Sequence, residues 1–351
     1  MPTTIRRRLL APLALAALLS TLAGCVTFDD APRPPTAKDA TTATTPRLTA
    51  DRYVTSDGTA LPLRAFLPAG QPRAIVLALH GFNDYSNAFT LPAPGLVTRQ
   101  IALYAYDQRG FGGAPDHGLW AGGRLMAADA AEAARLLRQR YPGTPIYLLG
   151  ESMGAAVAIL AATGSRPAPV DGIVLVAPAV WGRQTMNVFE RAGLWLAGLV
   201  PSMQFSRRTL PIEVQASDNI PMLRALGRDP LVIKETRADT LNGLVDLMGA
   251  ALDAGRRLTI PTLVLYGRKD EIVPRGPVAR FVEELPGADR SRQRVALYPQ
   301  GYHMLLRDLD AGLVVDDVAT WLLHPVEPLP SHADLGARFA LTGQRDLVAA
   351  R

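Results

Sequence analysis

Several stretches of the chain are apolar at every position rather than at every second one. Ala74–Leu79 reads AIVLAL and Ile101–Tyr106 reads IALYAY. Pro145–Leu149, Gly172–Val176, Thr262–Tyr266 and Arg294–Tyr298 repeat the pattern. Short continuous runs of this kind predict strands covered on both faces, as in a parallel sheet. Between them the period changes to that of a helix. Leu119–Arg140 carries Ala, Leu and Arg at helical spacing and stops at Tyr141-Pro142-Gly143, and Ala155–Ala162 and Ala311–Leu323 predict two more helices. Ahead of the first buried run, Arg52–Ser56 and Ala60–Leu67 flank Asp57-Gly58, which predicts a hairpin. Strands alternating with helices predict an α/β fold, a mostly parallel sheet with helices on both faces.

The alternation is interrupted once. From Ala179 to about Leu258 no strand is apparent, and helical segments are broken by Pro201, Pro211, Pro221 and Pro230. This predicts a helical insertion between two sheet strands. The division expected is a leader at 1–24, a tether at 25–47, a catalytic-type domain at 48–324 with a helical cap at about 180–258, and a C-terminal extension at 325–351. In that extension Pro325, Pro328 and Pro330 predict a loop, with room for one more helix over Leu335–Arg351.

Composition narrows the function classes. Of 351 residues, 48% are hydrophobic and 20% charged, an ordinary globular balance. A single cysteine excludes a disulfide framework and a cysteine zinc cluster, and neither metal nor cofactor is called for. The formal charge is +5 and falls to +2 without Arg6, Arg7 and Arg8, too little to suggest nucleic-acid binding. Those arginines precede the apolar run Leu9–Leu19, which at 11 residues is far short of a membrane span and reads as a secretory signal.

The chemistry is concentrated in Gly150-Glu151-Ser152-Met153-Gly154, a G-x-S-x-G set between a predicted strand and a predicted helix. That context turns Ser152 out at the carboxyl end of the sheet, with the positive helix N-terminus behind it. A serine hydroxyl needs a base, and the base needs an orienting carboxylate. Three histidines follow Ser152. His303 comes just after a strand, whereas His324 ends a helix and His332 sits among prolines. Asp270, three residues beyond Gly267 at the end of a strand, is the expected acid, with Glu271 as its rival. Backbone N–H groups of Met153 and Phe82 are the expected oxyanion donors, Phe82 lying in the His80-Gly81-Phe82 turn after AIVLAL. His80 is expected to be a structural turn residue, and the charges of Asp107 and Arg109 are expected to hold their own loop.

Two resemblances add to this reading. HGFNDYS, YDQRGFG, GESMG, GRKDEIVP and GYHMLLRD resemble, in order and spacing, the monoacylglycerol lipase and lysophospholipase-like α/β-hydrolases, over roughly Arg52 to Leu323. The chain departs from that pattern at Phe82-Asn83, where small residues and Glu are commoner, and at Glu151, where His often precedes the serine. The resemblance implies Ser152 as nucleophile, Asp270 as acid, His303 as base, and hydrolysis of acyl esters, monoacylglycerols or lysophospholipids above all. A short-chain carboxylesterase or an amidase or peptidase on the same triad is the alternative, followed by a non-catalytic lipid-anchored binding protein. The insertion would be a cap, its apolar helix over residues 186–200 either packing in the cap's own core or placing Phe189, Trp195 and Leu199 along an acyl-chain tunnel or against a bilayer. Separately, Leu22-Ala23-Gly24-Cys25 resembles the lipobox of bacterial lipoproteins. That implies lipidation of Cys25, membrane attachment and, with Val26 following, the outer membrane of a Gram-negative cell. Oligomeric state has no signature in the sequence.

Overall fold

The structure is a computed structural model, and residues 44–206, 214–286 and 292–343 are described. The leader, Cys25 and most of the tether lie outside the described residues, as do residues 344–351 of the extension. The described strands are β1 (Arg47–Leu48), β2 (Arg52–Val54), β3 (Ala60–Phe66), β4 (Ala74–Leu79), β5 (Ile101–Tyr106), β6 (Ile146–Glu151), β7 (Gly172–Val176), β8 (Gln204–Ser206), β9 (Glu235–Arg237), β10 (Thr262–Gly267) and β11 (Gln293–Tyr298). The helices are α1 (Ala93–Val97), α2 (Gly123–Arg140), α3 (Met153–Thr163), α4 (Val188–Gly198), α5 (Ile220–Arg228), α6 (Ala238–Ala254), α7 (Arg275–Glu284), α8 (Ala311–Leu323) and α9 (Ala337–Thr342).

Nine strands form one sheet in the order β1-β2-β3-β5-β4-β6-β7-β10-β11. From β5 to β11 all neighbours are parallel, and β1, β2 and β3 add an antiparallel edge through the Asp57-Gly58 hairpin. The unbroken apolar runs follow from two covered faces. On β4, Ile75, Leu77 and Leu79 enter the core under α2, α3 and α6, whereas Ala74, Val76 and Ala78 enter the core under α1 and α8. On β5, Ala102, Tyr104 and Tyr106 divide in the same way from Ile101, Leu103 and Ala105. Every residue of both strands is buried. Removing a side chain such as Leu77 from water contributes roughly 2–3 kcal/mol.

The insertion is not all helical, which corrects the expectation from sequence. Gln204–Ser206 and Glu235–Arg237 pair antiparallel as a two-stranded ribbon. The strands are three residues long and only partly buried, so neither has the apolar run that marks the central strands. Their partners are also distant in sequence, and only the folded cap brings them together. At its entrance α4 is fixed by a capping box: Asn187 Oδ1 accepts from the Phe189 and Glu190 N–H, and Glu190 Oε2 accepts from the Asn187 N–H at 2.8 Å.

The extension is tied to the domain edge. Leu329 is buried, α9 packs on β11 and α7, and the buried Arg338 guanidinium donates to the carbonyls of Val282 and Gln293. It covers a sheet edge that would otherwise expose unpaired backbone groups. No helix among the described residues is long and apolar enough to cross a membrane.

Candidate active site

Strand β6 runs directly into α3, and the turn between them is Ser152. Its φ is +54° and ψ −115°, a conformation that costs a non-glycine residue about 1–3 kcal/mol. The backbone is held there from both sides: the Ser152 N–H donates to Val176 O at 2.9 Å, and its carbonyl accepts from Ala155 N and Ala179 N. The flanking glycines are needed for close approach. A Cβ on Gly154 would lie 2.0 Å from Leu79 O, and one on Gly150 2.3 Å from Gly154 O. The sharp turn therefore rests on adjacent strands β4 and β7.

His303 lies on the loop after β11. Its Nδ1 is 2.8 Å from Asp270 Oδ2, and both side chains are buried. Asp270 Oδ1 accepts the Ile272 and Val273 N–H groups at 2.8 and 3.0 Å. One carboxylate oxygen is thus fixed by backbone and the other faces the imidazole. An ionised Asp270 accepts only, so Nδ1 carries the proton and leaves Nε2 free to accept one. Glu271 takes no part: it accepts from the Gln215 N–H, and it is exposed. His324 is also exposed, beside Glu327, and His332 does not border the cavity described below.

Two backbone groups complete the geometry. The Phe82 N–H donates no hydrogen bond among the described residues. Met153 is the first residue of α3, where an N–H has no partner within the helix. Gly81 brings the first loop against Ser152, since a Cβ there would be 3.5 Å from Ser152 Cβ. His80 supports that loop from below. It is fully buried, its Nδ1 is 2.8 Å from Gly81 O, and its Nε2 accepts the Gln108 N–H at 2.9 Å. Burial holds its ring below the usual histidine range, so it is a neutral strut. Asp107 and Arg109 also hold backbone: Asp107 accepts from Ser86 N and Gly113 N, and Arg109 forks onto Asp129 and reaches Asp57.

Ser152 and His303 open into a cavity of about 730 Å³ under the cap, together with Gly81, Phe82, Asp84, Glu151 and Arg307. Its other wall is apolar: Trp181, Met186 and Leu194 from the entrance to the cap and α4, and Leu241, Leu244, Val245 and Met248 from α6. Phe189, Trp195 and Leu199 do not line it, which corrects the tunnel expectation for those three residues. They are 85%, 53% and 61% exposed on the outer face of α4. The helical repeat explains this, because Glu190, Gly193 and Leu194 share one side and residues 189, 195 and 199 fall on the other. The lining missed from the sequence was nonetheless present in it, as an i, i+3, i+4, i+7 stripe along α6. A second cleft of about 760 Å³, beside Arg109, Asp129 and Glu132, contains none of the nucleophile, base or acid candidates.

One arginine beneath the cavity was not singled out by sequence reasoning. Arg307 Nη1 donates to Asp84 Oδ2 at 2.7 Å and Nη2 to Glu151 Oε2 at 2.9 Å, with all three side chains buried. Burial works against the Arg307 charge, but the Glu151 and Asp84 carboxylates outweigh it and hold the group protonated. Burial also pushes the Glu151 carboxyl above its usual range; Arg307 pulls it back, and the neighbouring Asp84 charge pushes with burial.

Known proteins give this arrangement a context. The profile of the family described as serine aminopeptidase, S33, matches residues 70–310. The chain is 26% identical over 290 residues to a monoglyceride lipase of Rattus norvegicus, covering 78% of this chain and 90% of that one. It is 26% identical over 276 residues to a monoacylglycerol lipase of Mycolicibacterium smegmatis, covering 73% and 90%. Among solved structures, a Paleococcus ferrophilus monoacylglycerol lipase superposes with a TM-score of 0.60 at 23% identity, over 75% of this chain and 98% of that one. A soluble variant of the Saccharomyces cerevisiae monoglyceride lipase, in complex with a substrate analogue, gives 0.64 at 18% identity, over 86% and 99%. On this match and on its sheet, elbow and cap, the chain is an α/β-fold serine hydrolase belonging to the serine aminopeptidase S33 family.

Proposed function

We propose that the protein hydrolyses monoacylglycerols through an acyl-Ser152 intermediate. The observation that carries this is that His303, hydrogen-bonded to Asp270 behind it, borders one large apolar cavity together with Ser152. His303 Nε2 takes the serine proton as the hydroxyl oxygen attacks the ester carbonyl. The Phe82 and Met153 N–H groups receive the developing oxyanion. His303, now cationic beside Asp270, donates its proton to the leaving glycerol oxygen. It then removes a proton from the water that attacks the acyl-enzyme carbonyl and returns it to the Ser152 oxygen as the acyl–oxygen bond breaks, which releases the fatty acid and restores both residues.

The substrate side of the proposal draws on two supports. The α6 stripe and Trp181, Met186 and Leu194 offer an apolar wall to an acyl chain, and a cavity near 730 Å³ is within the range that encloses molecules of this size. The relatives cited above bear the names monoglyceride or monoacylglycerol lipase. The test is a chain-length series of acyl esters beside matched acyl amides. Turnover highest at eight or more carbons, with release of glycerol from a monoacylglycerol, supports the reading. Activity confined to acetyl and butyryl esters, or to amides, rejects it.

The N-terminal sequence extends the proposal to location. Leu22-Ala23-Gly24-Cys25 after a short apolar run supports lipidation at Cys25 and attachment to a bacterial outer membrane, where the enzyme would meet its substrates in two dimensions. Radiolabelled palmitate should enter the wild-type protein and not Cys25→Ala. Label that persists in the variant rejects the anchor.

A further inference from the structure

The loops that carry the three working parts of the site come from distant places in the chain. Phe82 lies after β4, Ser152 after β6 and His303 after β11. A single side chain reaches all three. Arg307 stands four residues beyond His303 on the base loop, Asp84 two residues beyond Phe82, and Glu151 immediately before Ser152. The two ends of the guanidinium fork divide between the two carboxylates, at 2.7 and 2.9 Å. Asp84 is itself built into its turn, since its N–H donates to Gly81 O and its Oδ1 accepts the Tyr85 N–H.

We propose that Arg307 is a positioning residue for the reaction: its planar fork sets the oxyanion loop, the nucleophile turn and the histidine loop at fixed separations. This rests on the reading of Ser152 and His303 as nucleophile and base.

Three features of the molecule carry the inference. The arginine is buried on the cavity wall, so its charge is there at the expense of hydration, and its two partners lie on the two other functional loops. The guanidinium is flat and rigid, so fixing both carboxylates fixes their angle as well as their distance. Neither group has a second bond in reserve: buried Arg307 Nε and Glu151 Oε1 make no hydrogen bond among the described residues. An ion pair that only balanced buried charge could lie on any elements. This one links the segments whose relative placement decides whether Ser152 can lose its proton to His303 while the carbonyl oxygen meets the Phe82 N–H.

The prediction separates positioning from folding. Arg307→Lys keeps a charge but not the fork, and Glu151→Gln keeps the shape but weakens one tie. Displacing reacting groups by about 1 Å can lower turnover 100-fold, so kcat for a soluble acyl ester should fall about 100-fold in Arg307→Lys and at least about tenfold in Glu151→Gln, with KM within about threefold of wild type. In Arg307→Ala, added guanidinium ion should restore kcat at least about tenfold by refilling the site. Arg109→Lys serves as a control, because Arg109 forks onto buried Asp129 without bordering this cavity. It should lower the melting temperature and leave kcat per folded molecule unchanged. Wild-type kcat per folded molecule in Glu151→Gln or Arg307→Lys overturns the proposal, as does rescue of the melting temperature by guanidinium without rescue of kcat. The rate of fluorophosphonate attachment to Ser152 is read in parallel. Wild-type protein that fails to react rejects the underlying serine-hydrolase mechanism, whereas wild-type protein that reacts no faster than the variants rejects only the role of Arg307.

Discussion

Replacing Asp270 by Asn should disable the enzyme without unfolding it, and the structure says why. Asp270 Oδ1 is held by the Ile272 and Val273 N–H groups, and Oδ2 faces His303 Nδ1 at 2.8 Å. An asparagine has one acceptor and one donor end. The two backbone donors keep the amide oxygen on their side, so the NH₂ group must face His303. Nδ1 then has to accept, the ring proton moves to Nε2, and the histidine can no longer take the serine proton. The same tautomer inversion in a serine protease triad lowers kcat about 10⁴-fold, which at about 1.4 kcal/mol per factor of ten is roughly 5.5 kcal/mol of transition-state stabilisation. Nearly all of that loss should fall on kcat, because Asp270 does not line the cavity. The assay is steady-state hydrolysis of a soluble acyl ester with melting temperature measured on the same samples. Asp270→Asn retaining more than about a tenth of wild-type kcat while folded would refute the hydrogen-bond argument.

Other consequences are equally open to measurement. Leu244→Trp on the α6 stripe should narrow the cavity and lower kcat/KM for a dodecanoyl ester by about tenfold relative to a butyryl ester; an unchanged ratio would remove α6 from the acyl site. Gly154→Ala sets a Cβ 2.0 Å from Leu79 O and should destabilise the fold by about 3 kcal/mol, read as a drop in melting temperature, and a neutral result would mean the elbow is not closely packed. His80 has a pKa depressed by burial, so the unfolded chain binds a proton that the folded one refuses. Its contribution to stability is therefore complete above about pH 6.5 and is lost as pH falls from there toward the folded value, at no more than about 1.4 kcal/mol per pH unit. His80→Asn should flatten that part of the stability curve, and an identical slope in the variant would contradict a neutral buried ring.

The parts of the fold that the sequence made legible are those governed by local pattern. The runs AIVLAL and IALYAY are buried on both faces, and their length of six residues, bounded by turns, marks them as strands rather than buried helix. The Ser152 turn was legible because a strained conformation between two crowded glycines leaves few residue choices. What was hidden depends on contacts between distant segments. The β8–β9 ribbon has three-residue strands with partly exposed side chains, so nothing local distinguishes them from loop. Of the roles the sequence left open for Phe189, Trp195 and Leu199, tunnel lining is the one the structure corrects; α4 is apolar almost all round, so its composition does not say which face turns inward. Its outer residues Phe189, Trp195 and Leu199 are exposed, and α6 supplies most of the wall instead. Arg307 reads in the sequence as one more charged loop residue; only the meeting of three loops shows that both its partners flank the functional turns.

The central claim is that acyl transfer passes through Ser152, and active-site mapping of a covalent adduct tests it most directly. The protein is treated with a fluorophosphonate, the modified peptide is identified by mass, and glycerol release from a monoacylglycerol is followed in the same sample. The account predicts one adduct per chain, on Ser152, with release lost in proportion to labelling and no adduct in His303→Ala. Full monoacylglycerol hydrolysis by Ser152→Ala, or an adduct on another residue that abolishes activity, would contradict it.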